Sequence, residues 1–212
     1  MLNYEDLLAE LEASWAAVGL HEHDFVESFL PATHDRMCKV ELFPPHDEPM
    51  IFENTPPWVE LNYTWMASHQ LESEGREVVH DPLELNWIYT VNVRGSHDRS
   101  DSELVRIVQQ AFQRGFQRFY PLEALEMEPV AVDVRRTYQT ENGKVRLAYI
   151  QLVTSNITDL STFWAERDPT SLRTFLRIEL QLAAAIISLL SDAFLPPSSR
   201  GSGGSYKSVD AA

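Results

Sequence analysis

The tightest grouping of residues able to do chemistry is His21-Glu22-His23-Asp24, with His34-Asp35 a short way downstream. Imidazoles and carboxylates at such spacing can share a divalent cation, so His21, His23 and His34 are where a metal or a general base would be sought. The same run in an acidic connector is also what a solvated polar segment looks like. His97-Asp98 beside Arg99 precedes a helix start, where anions are favoured, although a turn and a helix cap account for these residues equally well. Asp133 and Glu141 offer two carboxylates, but no Lys follows in the Glu-x-Lys order of metal-dependent nucleases. The chain has no Gly-rich phosphate loop, Gly-x-Ser-x-Gly elbow, His-Glu-x-x-His pair or Cys-x-x-Cys pair. The expectation is therefore a non-enzyme, with no catalytic, cofactor-binding or metal residue assigned and no cofactor.

The elements that must position any site follow from periodicity. Trp58 to Gln70 alternates, with Val59, Leu61, Tyr63, Trp65 and Ala67 on one side and Glu60, Asn62, Thr64 and Ser68 on the other. Leu83 to Arg94 repeats the pattern with Leu83, Leu85, Trp87, Tyr89, Val91 and Val93 inward, and only Ile88 is out of step. The polar stretch Leu71 to Pro82 predicts a long hairpin loop between them. A second hairpin is expected after Pro129, with Val130, Val132 and Val134 before an Asn142-Gly143 turn and Val145, Leu147 and Tyr149 after it. Residues 3 to 18 predict an acidic helix through Tyr4, Leu7, Leu8, Leu11, Trp15 and Val18, ended by Gly19. Residues 20 to 57 read as an irregular connector, with at most one short strand at Lys39 to Phe43, because its prolines exclude a long helix.

Ser100 and Glu103 form a capping box that opens a helix to about Tyr120, whose buried stripe is Leu104, Ile107, Val108, Ala111, Phe112, Phe116 and Phe119. Its other face carries Arg106, Gln109, Gln113, Arg114, Gln117 and Arg118, the candidate subunit interface. A last helix, Pro169 to Phe194, is apolar on nearly every side, so it is buried either in its own fold or against another chain. Phe175, Leu182, Ile186 and Leu189 are the candidate partner-contact residues on it. The expected fold is α+β, with an antiparallel or mixed sheet of four to five strands and helices on one face. The expected organisation is a domain over residues 1–165, a C-terminal helical extension over 166–195 and a flexible Gly/Ser-rich tail over 196–212.

Charge is unevenly placed. The 212 residues hold 32 Asp or Glu against 17 Lys or Arg, and residues 1 to 84 contribute 18 of those acids and only 3 of the bases. An acidic half disfavours nucleic acid and anionic membrane, and suits solubility or a basic partner. The single cysteine, Cys38, excludes an internal disulfide, and the acidic N-terminus lacks the pattern of a signal peptide. A chain with an acidic half and a cationic helix face can make a head-to-tail contact between copies, which closes into a ring if the rotation allows.

The order of acidic helix, connector, Pro-Pro-Trp-Val-Glu-Leu strand, long loop, Leu-Asn-Trp-Ile-Tyr-Thr-Val-Asn-Val strand, Ser-Asp-Ser-Glu-Leu helix and final hairpin resembles the tail terminator proteins of long-tailed bacteriophages. Tube-capping proteins of contractile injection systems are similar. The resemblance covers residues 1 to about 155 and implies a virion structural protein, made in the host cytoplasm. It further implies a hexameric ring that caps the tail tube and joins it to the neck, with the tube protein and a neck or connector protein as partners. The long last helix and tail depart from short members of the family and leave open a neck or baseplate adaptor. A different class, an acidic binding module that mimics nucleic acid, would use the charge of residues 1 to 84 instead.

Overall fold

The computed structural model describes residues 3–45, 55–66, 68–69, 83–94, 98–160 and 169–195. The elements in chain order are α1 (Tyr4–Ala17), β1 (His21–Leu30), β2 (Asp35–Phe43), β3 (Trp58–Trp65), β4 (Glu84–Arg94), α2 (Asp101–Phe119), the single turn α3 (Glu123–Glu126), β5 (Asp133–Glu141), β6 (Lys144–Asp159) and α4 (Pro169–Phe194). The strands form one antiparallel sheet in the order β1-β2-β3-β4-β6-β5.

The α+β class is as the patterning implies, but the sheet has six strands rather than four to five. The difference lies in the segment read as an irregular connector, where β1 and β2 form a hairpin whose turn places His34 at φ 61°. An edge strand is wet on both sides, so β1 has no apolar alternation for the eye to catch: nine of its ten residues are exposed. The strand expected to reach Gln70 stops at Trp65, and a turn follows in which the buried His69 accepts a hydrogen bond from the Met66 amide at 3.1 Å. The expected loop Leu71 to Pro82, His97 and the tail 196–212 lie outside the described residues.

All the long helices cover one face of the sheet. Inward residues Cys38, Val40 and Leu42 of β2, Val59 to Trp65 of β3, Leu85 to Val93 of β4 and Ile150 and Leu152 of β6 meet Leu7, Leu11 and Trp15 of α1, Leu104, Val108 and Phe112 of α2 and the apolar stripe of α4. Each fully buried large side chain contributes about 1.5–3 kcal/mol, so this common core dominates stability. Helix α4 is long and apolar enough to cross a membrane by length and composition. Here that apolarity is spent on the core, where Leu172, Leu176, Leu180, Leu182, Ala183, Ile186, Ile187 and Leu190 are all buried.

Two close approaches fix the helix layer. Gly115 of α2 lets α4 come so near that an added Cβ would stand 2.7 Å from Ile186 Cγ1. The Arg173 guanidinium of α4 grips both oxygens of Glu10 on α1, with Nε at 2.6 Å from Oε2. At the far end of the sheet the Asn142-Gly143 turn has φ of 52° and 74°, as a tight hairpin twisting with its strands requires.

Candidate functional site

Helix α2 starts as its sequence dictates: Ser100 Nα–H donates to Glu103 Oε2 at 2.7 Å, while the Glu103 amide donates back to Ser100 Oγ at 3.4 Å. The Ser100 amide, together with the Ser100 hydroxyl that donates to Glu103 Oε2 at 2.8 Å, holds the Glu103 carboxyl below its ordinary value, with smaller help from the charges of Arg106 and Arg99. Phe112 packs edge-on against Tyr89 of β4 with ring centres 4.8 Å apart, which sets the helix rotation and turns Arg106, Arg114, Gln117 and Arg118 to solvent. Arg106 and Arg118 are about 18 Å apart along the axis.

The six-residue stripe is thus divided by the structure. Gln109 Nε2 donates to the Val130 carbonyl at 3.1 Å and Gln113 Nε2 to the Ala124 carbonyl at 2.7 Å, so these two amides tie down the segment between α2 and β5. The three arginines and Gln117 remain outward, with the Arg118 guanidinium 5.3 Å from the centre of the Phe119 ring. On α4, Leu182 and Ile186 are withdrawn into the chain's own core, at 1% and 0% exposure, and cannot meet a partner. Phe175 and Leu189 are half-buried at its margin.

The histidine group does not converge. His21 opens β1 and His34 lies in the turn beyond its other end, about 30 Å away at the rise of an extended strand. His23 stands 3.8 Å from Glu41 and against the Phe43 ring, while His34 packs beside Phe29. Among the described residues no group of three or more His, Cys, Asp and Glu is placed to hold a metal ion. Asp133 and Glu141 likewise sit at opposite ends of β5, each beside an arginine: Arg135 at 2.7 Å from Asp133, and Arg146 at 3.8 Å from Glu141. Arg99 donates to the Ala193 carbonyl at 3.0 Å and lies against Phe194, so it anchors the end of α4.

The uncovered sheet face holds a feature that the patterning did not expose. An open trough of about 560 Å³ runs across the strands, with Trp58, Glu60, Ile88 and Thr90 in its floor and Glu41 and Asp133 toward its ends. Phe43 stacks on Trp58 at 5.4 Å there and is buried although it points away from the main core. Ile88, the residue out of step in its strand, is explained by this trough, and its misplaced apolarity was the available signal. Lys39 Nζ lies 2.8 Å from Glu60 and 3.3 Å from Glu41, and its pKa is raised, first by the bond to Glu60. The trough's acids are therefore already matched with cations, an arrangement that suits surface contact better than proton transfer.

The helix-facing side has its own polar device. Glu179 of α4, 7% exposed, accepts from the Tyr120 hydroxyl and from Thr158 Oγ1 at 2.6 Å, and Thr158 in turn accepts from Trp87 Nε1 at 3.0 Å. With every member partnered and little room around it, this network joins α4, β4, β6 and the end of α2 rather than opening to a substrate.

No family model, curated protein or solved structure matches the chain.

Proposed function

We propose that the chain is a ring-forming structural subunit of the tail-terminator type, which caps a phage tail tube and joins it to the neck. The observation that carries this reading is the charge polarity along the sheet. At one end, α1 packs near β3 through Tyr4, Tyr63 and Trp65, and α1 with β1 bears Glu5, Asp6, Glu10, Glu12, Glu22, Asp24 and Glu27. At the other, α2 presents Arg106, Arg114 and Arg118, and Arg136 of β5 reaches Asp101 at its start. A molecule acidic at one end, with a cationic helix stripe on an otherwise charge-balanced other end, can attract its own copies head to tail, and that heterologous contact closes into a ring when the rotation divides a full circle. The ring order of six, the tube protein and the neck protein as partners, and a place in the virion come with the resemblance of the sequence.

The acidic-module reading has weaker support, since part of the acidic surface is matched within the chain. Arg36 lies 2.9 Å from Glu5, Lys39 bridges Glu41 and Glu60, and Arg173 holds Glu10.

Light scattering of the purified chain over a range of concentration and salt tests the proposal. The expected species has about six times the 24.3 kDa mass of one chain, and it dissociates when salt screens the contact. A protein that stays at one chain mass at every concentration and binds a basic protein instead speaks for the acidic module. Reversing Arg106, Arg114 and Arg118 to Glu should weaken assembly, and unchanged assembly removes this stripe from the interface.

A further inference from the structure

The two ends of the sheet are matched in form and differ in charge. β1 bears Glu22, Asp24 and Glu27 with no Lys or Arg, whereas β5 balances Arg135 and Arg136 against Asp133 and Glu141, and Lys144 and Arg146 of β6, one strand in, leave the β5–β6 arm with a cationic surplus. Among the described residues β1 pairs only with β2 and β5 only with β6, so each offers a free edge of backbone donors and acceptors. Both strands are exposed along nearly their whole length, and both carry apolar side chains in solvent: Val26, Phe29 and Leu30 on β1, Tyr138 and Val145 on the arm. The arm also outruns β4, whose pairing with β6 ends at Tyr149.

Strand number decides the direction in which such edges meet. Six strands, each antiparallel to the next, leave β1 and β5 running in opposite directions. A copy generated by rotation about an axis along the strands keeps its strand directions, so its β1 arrives antiparallel to the first copy's β5, the more stable pairing. A two-fold contact of β1 with β1 would instead set three acids against three acids, and like charges across strands are destabilising. Charge thus disfavours the β1–β1 join.

We propose that copies of this chain join β1 edge to β5 edge, so that the antiparallel sheet runs on across each subunit boundary. This inference rests on the ring reading above and names the surfaces that make the contact. Arg135 and Arg136 have intramolecular partners, Asp133 and Asp101, but each lies at the surface, where such pairs exchange readily.

The test measures the mass of the full chain and of two charge reversals, E22K/D24K/E27K on β1 and R135E/K144E/R146E on the arm. Each reversal alone should weaken self-association by about tenfold or more, because it turns a contact between an acidic edge and a cationic arm into one between like charges. An equimolar mixture of the two should assemble again, because each variant then supplies the edge that the other lacks. Wild-type mass in both reversals, or no recovery in the mixture of folded variants, overturns the edge join. If R106E/R114E/R118E dissociates the assembly while the edge reversals do not, the ring reading stands and the edge join falls. A wild type that never assembles overturns both. Hydrogen exchange of the wild type gives a reading independent of the variants: residues 21–30 and 133–141 should gain protection on concentration, and unchanged exchange there also overturns the join.

Discussion

Thr158 Oγ1 on β6 donates to Glu179 Oε2 on α4 at 2.6 Å, which places the single buried carboxylate among the described residues at the junction of the sheet and its last helix. Because Tyr120 donates to the other oxygen and Trp87 donates to Thr158, losing the carboxylate leaves two hydroxyls without an acceptor in a closed space. Glu179→Ala should cost about 3 kcal/mol in urea unfolding, whereas Glu179→Gln keeps the shape and one acceptor and should cost about 1 kcal/mol. Thr158→Val in the Glu179→Ala background should cost less than it does alone, since the bond is already gone. A loss below about 0.5 kcal/mol for Glu179→Ala would show that the network contributes nothing net.

Gly115→Ala pits two effects against each other. Alanine improves an exposed helix by about 1 kcal/mol, but overpacking a filled core costs about 1–3 kcal/mol. With Ile186 Cγ1 only 2.7 Å from the new methyl and Leu182 Cδ1 at 3.3 Å, the clash is with the root of a branched side chain that cannot swing away. The net outcome is a loss of about 1 kcal/mol. In an Ile186→Ala background the clash disappears, and the same Gly115→Ala change should then stabilise. A destabilising effect in both backgrounds would place its origin elsewhere than this helix contact.

What the sequence disclosed depended on whether a residue met the core. Val59 through Trp65 and Leu85 through Val93 alternate because one face is buried, and the capping box at Ser100 and the turn at Asn142-Gly143 are local chemistry, so all were legible. β1 was not, since nine of the ten side chains from His21 to Leu30 are exposed and only Phe25 is half-buried, which leaves no alternation to read. Gly115 was silent for a related reason: the need for a missing side chain is created by Ile186, which lies far along the chain. The cationic stripe could be placed on a helix face, but nothing local told Gln109 and Gln113, which bind carbonyls of their own chain, from Arg106 and Arg114, which do not. Trp58, Glu60 and Ile88 were visible as strand residues, yet the trough that they share comes from register across β2, β3, β4 and β6.

The Glu10–Arg173 pair should leave a mark on acid stability. The Arg173 hydrogen bonds lower the Glu10 pKa in the folded chain, so the stabilisation is present above the ordinary glutamate value and is lost as pH falls through the lower folded one. Arg173 is 66% exposed, and solvent screening therefore keeps the loss in Arg173→Ala small at neutral pH. The difference between wild type and Arg173→Ala in thermal unfolding should shrink as the pH is taken well below 4. A difference that stays constant across that range would mean that the arginine acts through packing of its stem and not through the charge.

Alkaline pH should destabilise the protein for the opposite reason. Burial raises the pKa of Tyr4, Tyr63, Tyr89 and Tyr120, and it pushes the Cys38 thiol up to about 11. Each group holds its proton more firmly when folded, so its contribution is complete below the unfolded value and is lost as pH rises toward the folded one. For Cys38 that window runs from about 9 to about 11, and the tyrosines extend it above 10. Tyrosinate absorbance should therefore show these four phenols ionising together with loss of the folded circular dichroism signal, and Cys38 should react with a thiol reagent at neutral pH only as fast as the chain opens. Rapid modification of Cys38 with the fold intact would contradict its burial between β2 and α1. Phenol ionisation ahead of unfolding would show that the Tyr4–Tyr63 end of the core admits water before the sheet gives way.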